Sequence, residues 1–275
     1  MSYLFGRLAV PAVALAGLLS GAPALAAECL RLSGPAGGLV AGSVVNVLWL
    51  GNSLTNTAPD LGDFGLGPMP ARLASLLSRL GIQLRFEVRL RGGAEFGDHA
   101  RDRQTMALLG ERRFDAVNLQ GYYAGYASAS AFREATRELL TAMAAGRATP
   151  LFQAVWTFQG DPGSPQFPVA AAAVEEAARQ TPGAQAVPVM RVWEAVRLAD
   201  AALHRRLYAD NTHQSAIGEH LNALIYARFF SGRSVRGLAP VLPKVRTALT
   251  AAEQALLEEL TDREVRLFFR PAQAC

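Results

Sequence analysis

Val44-Val45-Asn46-Val47-Leu48-Trp49-Leu50-Gly51-Asn52-Ser53-Leu54-Thr55 is the stretch on which the reading of this chain turns. Its first half is apolar and partly β-branched without alternation, the pattern of a central parallel strand covered by helices on both faces. Gly51 then marks a sharp turn, and Ser53 follows it. In open α/β sheets ligands collect at the carboxyl ends of strands, so Ser53 is a candidate nucleophile. The competing reading is that Asn52 or Ser53 simply caps the next helix.

Working outward from this run, apolar and polar patterns alternate between strand and helix. Ser53 to Pro70 reads as a long loop rich in Gly, Asp and Pro, and loops of this length in compact domains are usually functional or mobile. Pro70 to Leu80 carries leucines at helical spacing and stops at Gly81. Ile82 to Leu90 alternates apolar with polar, which predicts a strand with one wet face near a sheet edge, running into Arg91-Gly92-Gly93. Asp98 to Gly110 reads as helix, Phe114 to Gly121 as strand, Ser130 to Gly146 as helix and Pro150 to Phe158 as strand. Val169 to Gln180 follows as helix, Ala186 to Trp193 as a fifth strand and Glu194 to Arg206 as helix. Asp210 to Gln214 links this to a helix from Ser215 to Phe230. In the tail, Val245 to Leu267, Thr250 and Glu253 have capping-box spacing. Five strands alternating with helices predict a three-layer α/β/α sandwich, flavodoxin-like, with a mostly parallel five-stranded sheet.

The chain has 275 residues, 51% hydrophobic and 18% charged, enough for one sizeable core. Arg7, the apolar Leu8 to Leu19 and the small-residue site Ala24-Leu25-Ala26 form a secretory signal pattern, so residues 1–27 are expected to be cleaved. The apolar stretch is short for a spanning helix, and no stable membrane anchor is expected. Residues 28–43 then read as a surface lead-in, and 44–275 as one domain that includes the C-terminal helix. A periplasmic or secreted location follows. Without Arg7, 26 basic face 23 acidic residues, and the arginines are scattered, which argues against a nucleic-acid partner. Cys29 and Cys275 either pair in an oxidising compartment or remain two free thiols at the chain ends.

The chemistry-bearing residues sit at strand ends: Ser53, Gly93 and Gln120, joined late in the chain by Tyr208-Ala209-Asp210-Asn211-Thr212-His213. A serine hydroxyl needs a base, for which His213 is best placed, and Asp210 could hold the imidazole tautomer. The backbone N–H groups of Ser53 and Gly93 and the amide of Gln120 are the candidate oxyanion donors. Asp210 as a turn former and His213 as an ordinary helix-start residue remain the alternative. His99 reads as a packing residue near Gly93, and His204 and His220 as surface or satisfied histidines on helices. No histidine pair has metal-ligand spacing with acidic support, so neither metal nor cofactor is expected. Asn52, Tyr122, Tyr123 and Trp156 are candidate substrate contacts. Those three aromatics, with Tyr126, follow strand ends and either line a sugar-binding cleft or pack in the core.

Taken together, Gly51-Asn52-Ser53-Leu54, Gly92-Gly93, Leu119-Gln120-Gly121 and Asp210-Asn211-Thr212-His213 resemble, in order, the blocks of the SGNH, or GDSL-like, hydrolase superfamily. The likeness runs from Val44 to about Gly232. The family usually has Asn in its third block, where this chain has Gln120. A subgroup with a G-N-S opening, a His soon after the G-G pair (here His99), L-Q in the third block and D-x-x-H-x-S-x-x-G at the end is more similar still. Here that last block is Asp210 to Gly218. The resemblance implies a serine esterase, lipase-like or deacetylating, acting on small-molecule or glycan esters. The alternative is a non-catalytic or acyl-transferring protein of this fold that binds cell-envelope polysaccharide.

Overall fold

Val45, Val47 and Trp49 point from β1 (Val44–Gly51) into one hydrophobic cluster, while Leu48 and Leu50 point into another. A strand with apolar side chains on both faces needs cover on both, and the rest of the chain supplies it. The computed structural model describes residues 38–55, 69–121, 129–161, 164 and 166–268. The leader at 1–27, Cys29, Cys275, Tyr122, Tyr123, Tyr126 and most of the loop after Ser53 lie outside the described residues.

After β1 come α1 (Met69–Arg79), β2 (Gln83–Leu90), α2 (Phe96–Arg101), α3 (Arg103–Leu109), β3 (Ala116–Gln120), α4 (Ala129–Gly146) and β4 (Thr149–Gln153). The second half holds α5 (Gln166–Gln180), β5 (Gln185–Val187), α6 (Val189–Ala199), α7 (Ala201–Arg206), α8 (Ala216–Ser231), α9 (Pro243–Ala248) and α10 (Ala251–Phe268). The five strands are all parallel in the order β2-β1-β3-β4-β5, with Val47 opposite Ala116 and Phe86 on the two sides of β1. This is the flavodoxin-like order, whose switch point lies between β1 and β3. Helices α1, α6, α8 and α10 contribute to the cluster on one face, and α2 to α5 to the cluster on the other. The wet strand expected at residues 82–90 is indeed an edge strand.

Helix α8 is buried along nearly its whole length and spreads its apolar residues round all its sides, as a helix wedged between other elements must, with Glu219, His220 and Asn222 as its buried polar groups. Its Tyr226 hydroxyl lies 2.6 Å from both Asn118 Oδ1 and Gln153 Oε1 and has one proton to give to one of them, while Gln153 Oε1 also accepts from Asn118 Nδ2 at 3.2 Å, so polar side chains that β3 and β4 turn into the core meet in one network. Trp49, Trp156 and Trp193 are among the largest fully buried side chains, each contributing about 1.5–3 kcal/mol of burial.

Four expected elements are corrected. Ala186 to Trp193 is a strand only through Val187, because Pro188 ends the ladder and Val189, Val192, Trp193 and Val196 fall on one buried face of α6. The strand beginning near Pro150 stops at Gln153, leaving residues 154–158 as buried non-strand chain. The helix expected over Asp98–Gly110 is two, since the Asp102 carboxylate accepts from the N–H groups of Gln104 and Thr105 and starts α3. Asp200 does the same for α7 and divides the expected helix from Glu194 to Arg206. In the tail, Thr250 and Glu253 form the expected reciprocal cap at the start of α10, with Thr250 N–H to Glu253 Oε2 at 2.8 Å and Glu253 N–H to Thr250 Oγ1 at 3.2 Å.

Candidate active site

The turn after β1 is built by its own polar groups. Asn52 Oδ1 accepts from Leu54 N–H at 2.9 Å and from Gln120 Nε2 at 3.2 Å, and Asn52 Nδ2 donates to Ala94 O at 3.1 Å. Gln120 Oε1 accepts from Asn52 N–H at 3.2 Å and from Thr55 Oγ1 at 2.7 Å. A backbone N–H can only donate, which fixes the orientation of the Gln120 amide. A Cβ on Gly51 would come within 2.5 Å of Thr55 Oγ1 and 2.8 Å of Gln120 Oε1, so only glycine lets this network close.

Gly93 sits beyond β2, where Arg91 N–H donates to Gly51 O at 3.2 Å and draws this segment to the nucleophile turn. Its φ of +66° is the left-handed conformation that glycine adopts without strain. The N–H groups of Ser53 and Gly93 have no intramolecular acceptor among the described residues. His99 lies beneath them, 4% exposed, with Nε2 3.1 Å from Gly51 O. Burial holds its pKa below the ordinary histidine range, partly offset by the Gly51 carbonyl, so the ring is a neutral donor that fixes the strand end.

The segment 207–215 closes on itself as a small hairpin. Ala209 N–H donates to His213 O at 2.9 Å, Ser215 N–H to Leu207 O at 2.7 Å, and Tyr208 bridges to Gln214. Asp210 Oδ1 accepts the N–H groups of Thr212 at 2.7 Å and His213 at 2.6 Å, while its Oδ2 lies 2.9 Å from His213 Nδ1. Burial alone would raise the Asp210 pKa; the two backbone N–H bonds and the imidazole outweigh it and hold the carboxyl below the ordinary range. On its other side His213 Nε2 lies 3.0 Å from Ser53 Oγ. Ser53, His213 and Asp210 thus form one hydrogen-bonded chain across 160 residues of sequence.

Three expected roles change. Gln120 is fully buried and its amide donates to Asn52 Oδ1 and to Gly121 O at 3.1 Å, so it braces the turn and offers no oxyanion donor. Asn52, 1% exposed and bonded on both ends of its amide, is part of the same brace and not a substrate contact. Trp156 is likewise fully buried, stacked on Trp193 at 4.4 Å, and its Nε1 donates to Thr212 O at 3.0 Å. It supports the His213 segment from below rather than lining a cleft. His204 packs edge-on against Trp193 and Tyr208, and His220 bonds Gln254 Oε1 at 3.1 Å, so both are satisfied histidines.

Sequence reasoning did not assign roles to Thr55, Ser215 or Gly218. Ser215 Oγ accepts from Ile217 and Gly218 N–H and donates to Arg206 O at 2.6 Å, which caps α8 and ties the hairpin to its base. A Cβ on Gly218 would meet Leu207 O at 2.2 Å. The available signal was the serine before an apolar run, and a glycine inside a helix that propensity disfavours.

No family model matches the chain, and no curated protein matches it in sequence. Solved structures do match in fold. A DUF4886 family protein from Bacteroides uniformis ATCC 8492 superposes with a TM-score of 0.65 at 14% identity, over 82% of this chain and 95% of that one. Axe2, an acetylxylan esterase from Geobacillus stearothermophilus, has a TM-score of 0.54 at 16% identity, covering 72% and 98%. LAE5, an α/β hydrolase enzyme from the metagenome of Lake Arreo, Spain, has a TM-score of 0.52 at 15% identity, covering 70% and 96%. At such identities it is the fold that is shared, and the chain has the layered, parallel-sheet α/β fold found in these structures, two of which are of an esterase and a hydrolase.

Proposed function

We propose that this protein is a carboxylic-ester hydrolase working through Ser53, His213 and Asp210. The observation that carries the reading is the continuous chain from Asp210 Oδ2 through the imidazole to Ser53 Oγ, at 2.9 and 3.0 Å. His213 Nε2 takes the hydroxyl proton as Ser53 Oγ attacks the acyl carbon, and Asp210 holds Nδ1–H and stabilises the imidazolium. The N–H groups of Ser53 and Gly93 receive the negative charge on the former carbonyl oxygen. Collapse breaks the ester C–O bond, and the departing alcohol takes the proton from His213. Water then repeats the sequence on the acyl-enzyme, releasing the carboxylic acid and restoring Ser53.

The substrates are small-molecule or glycan esters, and one protein that shares the fold, Axe2, is an acetylxylan esterase. The rival, a polysaccharide binder without catalysis, would leave Ser53 and His213 out of reach of each other, and the 3.0 Å separation favours the enzyme. The leader pattern supports export to the periplasm or medium. Labelling with a fluorophosphonate probe tests the reading: wild type should react and Ser53→Ala should not. A folded wild-type protein inert to the probe and to acetyl esters across pH 5–9 overturns it. Adding glycan acceptors to the ester assay separates hydrolysis from acyl transfer, since transfer diverts acyl groups to the sugar.

A further inference from the structure

Helices α4 and α5 lie side by side over one face of the sheet, and a groove of about 660 Å³ runs between them. Its origin is compositional: Ala144, Ala173 and Ala177 line it, and methyl groups are too short to bridge two helices that both rest on the strands. Phe132 and Leu140 complete an apolar wall along α4. From Phe132 to Ala144 the helix rises about 18 Å, the length of an extended chain of roughly a dozen carbons.

Both walls of this groove carry polar groups, and its cations lie on α4. Arg133 and Arg137, one turn apart, line it, and among the described residues neither guanidinium has an acidic partner. Between them in the helix, Thr136 also lines the groove, is 6% exposed, and its hydroxyl has no hydrogen-bond partner. Buried polar groups in native proteins are nearly always satisfied, so the Thr136 hydroxyl is an unmet demand for a partner, and the exposed Arg133 and Arg137 beside it give this end of the groove a positive charge that no acidic group among the described residues offsets. The carboxylate across the groove, Glu176, does not meet it, because Arg179 holds it at 2.6 Å.

We propose that this groove binds one medium-chain carboxylate: the carboxylate accepts from Arg133, Arg137 and Thr136, and its chain lies over the alanines between α4 and α5. An anion serves all three donors at once, and an unbranched tail fits a trough floored with small residues. The site is separate from Ser53 and holds whether or not the ester chemistry does.

Isothermal titration calorimetry of the full chain with dodecanoate, kept below its micellar concentration, tests this. Saturable binding with one site per chain is expected, unchanged in Ser53→Ala. Arg133→Gln with Arg137→Gln should weaken dodecanoate by about tenfold or more, since charge-assisted bonds are lost, while leaving the uncharged dodecanol unaffected. Thr136→Val, nearly isosteric, should weaken dodecanoate several-fold, and Ala177→Trp should block both ligands by filling the trough. Circular dichroism confirms that each variant is folded, and Thr136→Val serves if the tryptophan variant is not. Absence of saturable binding, loss of binding in Ser53→Ala, or affinity indifferent to the arginine pair overturns the proposal. So does a groove that mediates only self-association or adsorption to anionic vesicles.

Discussion

Asp210 serves two structures with one carboxylate: Oδ1 closes the turn through two backbone N–H groups, and Oδ2 orients the His213 ring. Asp210→Asn should therefore keep the turn, because the amide oxygen can still accept those N–H groups, yet present the wrong tautomer to Nδ1. Under the hydrolase reading kcat should fall by about 10³- to 10⁴-fold with little change in melting temperature, measured by ester turnover and thermal scans. Gly51 tests the brace beneath Ser53. Gly51→Ala pushes a methyl group into Thr55 Oγ1 and Gln120 Oε1, and should cost about 1–3 kcal/mol in urea unfolding and slow fluorophosphonate labelling. Asn52, Ser53, Asp210 and His213 are all legible as residues, since a glycine-bounded strand end and a D-x-x-H turn are local patterns. The destination of the Gln120 amide is not: it depends on Thr55 and Asn52 arriving from another strand, 65 and 68 residues away.

At the scale of elements, α1 and α8 are joined by a buried ion pair, Arg72 Nη1 to Glu219 Oε1 at 3.0 Å, with side chains 4% and 0% exposed. Burial lowers the Arg72 pKa and the neighbouring carboxylate partly restores it. Helix α1 starts from the nucleophile turn, Met69 N–H donating to Thr55 O at 3.1 Å, and α8 starts from the His213 hairpin. The pair thus joins the two helices that lead away from the two halves of the site. Glu219→Gln alone should destabilise the fold by about 3–5 kcal/mol, because it removes the buried carboxylate that faces the Arg72 guanidinium at 3.0 Å. Arg72→Met with Glu219→Leu should recover most of that stability, and a urea-unfolding double-mutant cycle checks both outcomes. Element boundaries show the same division between local and distant causes. The cap at Thr250 follows from residues three apart, whereas the early end of β5 reflects Pro188 together with a core that accepts Val189, Val192 and Trp193 only as a helix face.

Across the whole molecule, stability is linked to pH through His220, which α8 buries against α10. It is 4% exposed, bonded to Gln254 Oε1 and subject to the charge of Arg79, and burial lowers its pKa to about 4. Between that value and the ordinary 6.5 the unfolded chain takes up a proton that the folded chain refuses. Stability conferred by the neutral ring is therefore full above pH 6.5 and drains away toward pH 4, by about 3 kcal/mol. Urea midpoints at pH 7.5 and 4.5 should differ accordingly, and His220→Gln should flatten the difference. The alternation of apolar runs with helical stripes was enough to define a parallel α/β sheet, because hydrophobic periodicity and turn chemistry act over a few residues and read directly from the chain. The strand-end residues came with it, since a parallel sheet brings its carboxyl ends to one edge. Tertiary structure alone decided that Gln120 and Asn52 brace instead of bind, that Trp156 is a floor instead of a wall, and that α4 and α5 leave a trough between them. Each of those outcomes depends on which distant backbone or side chain reaches a buried polar group or fills a space, and no local pattern encodes that.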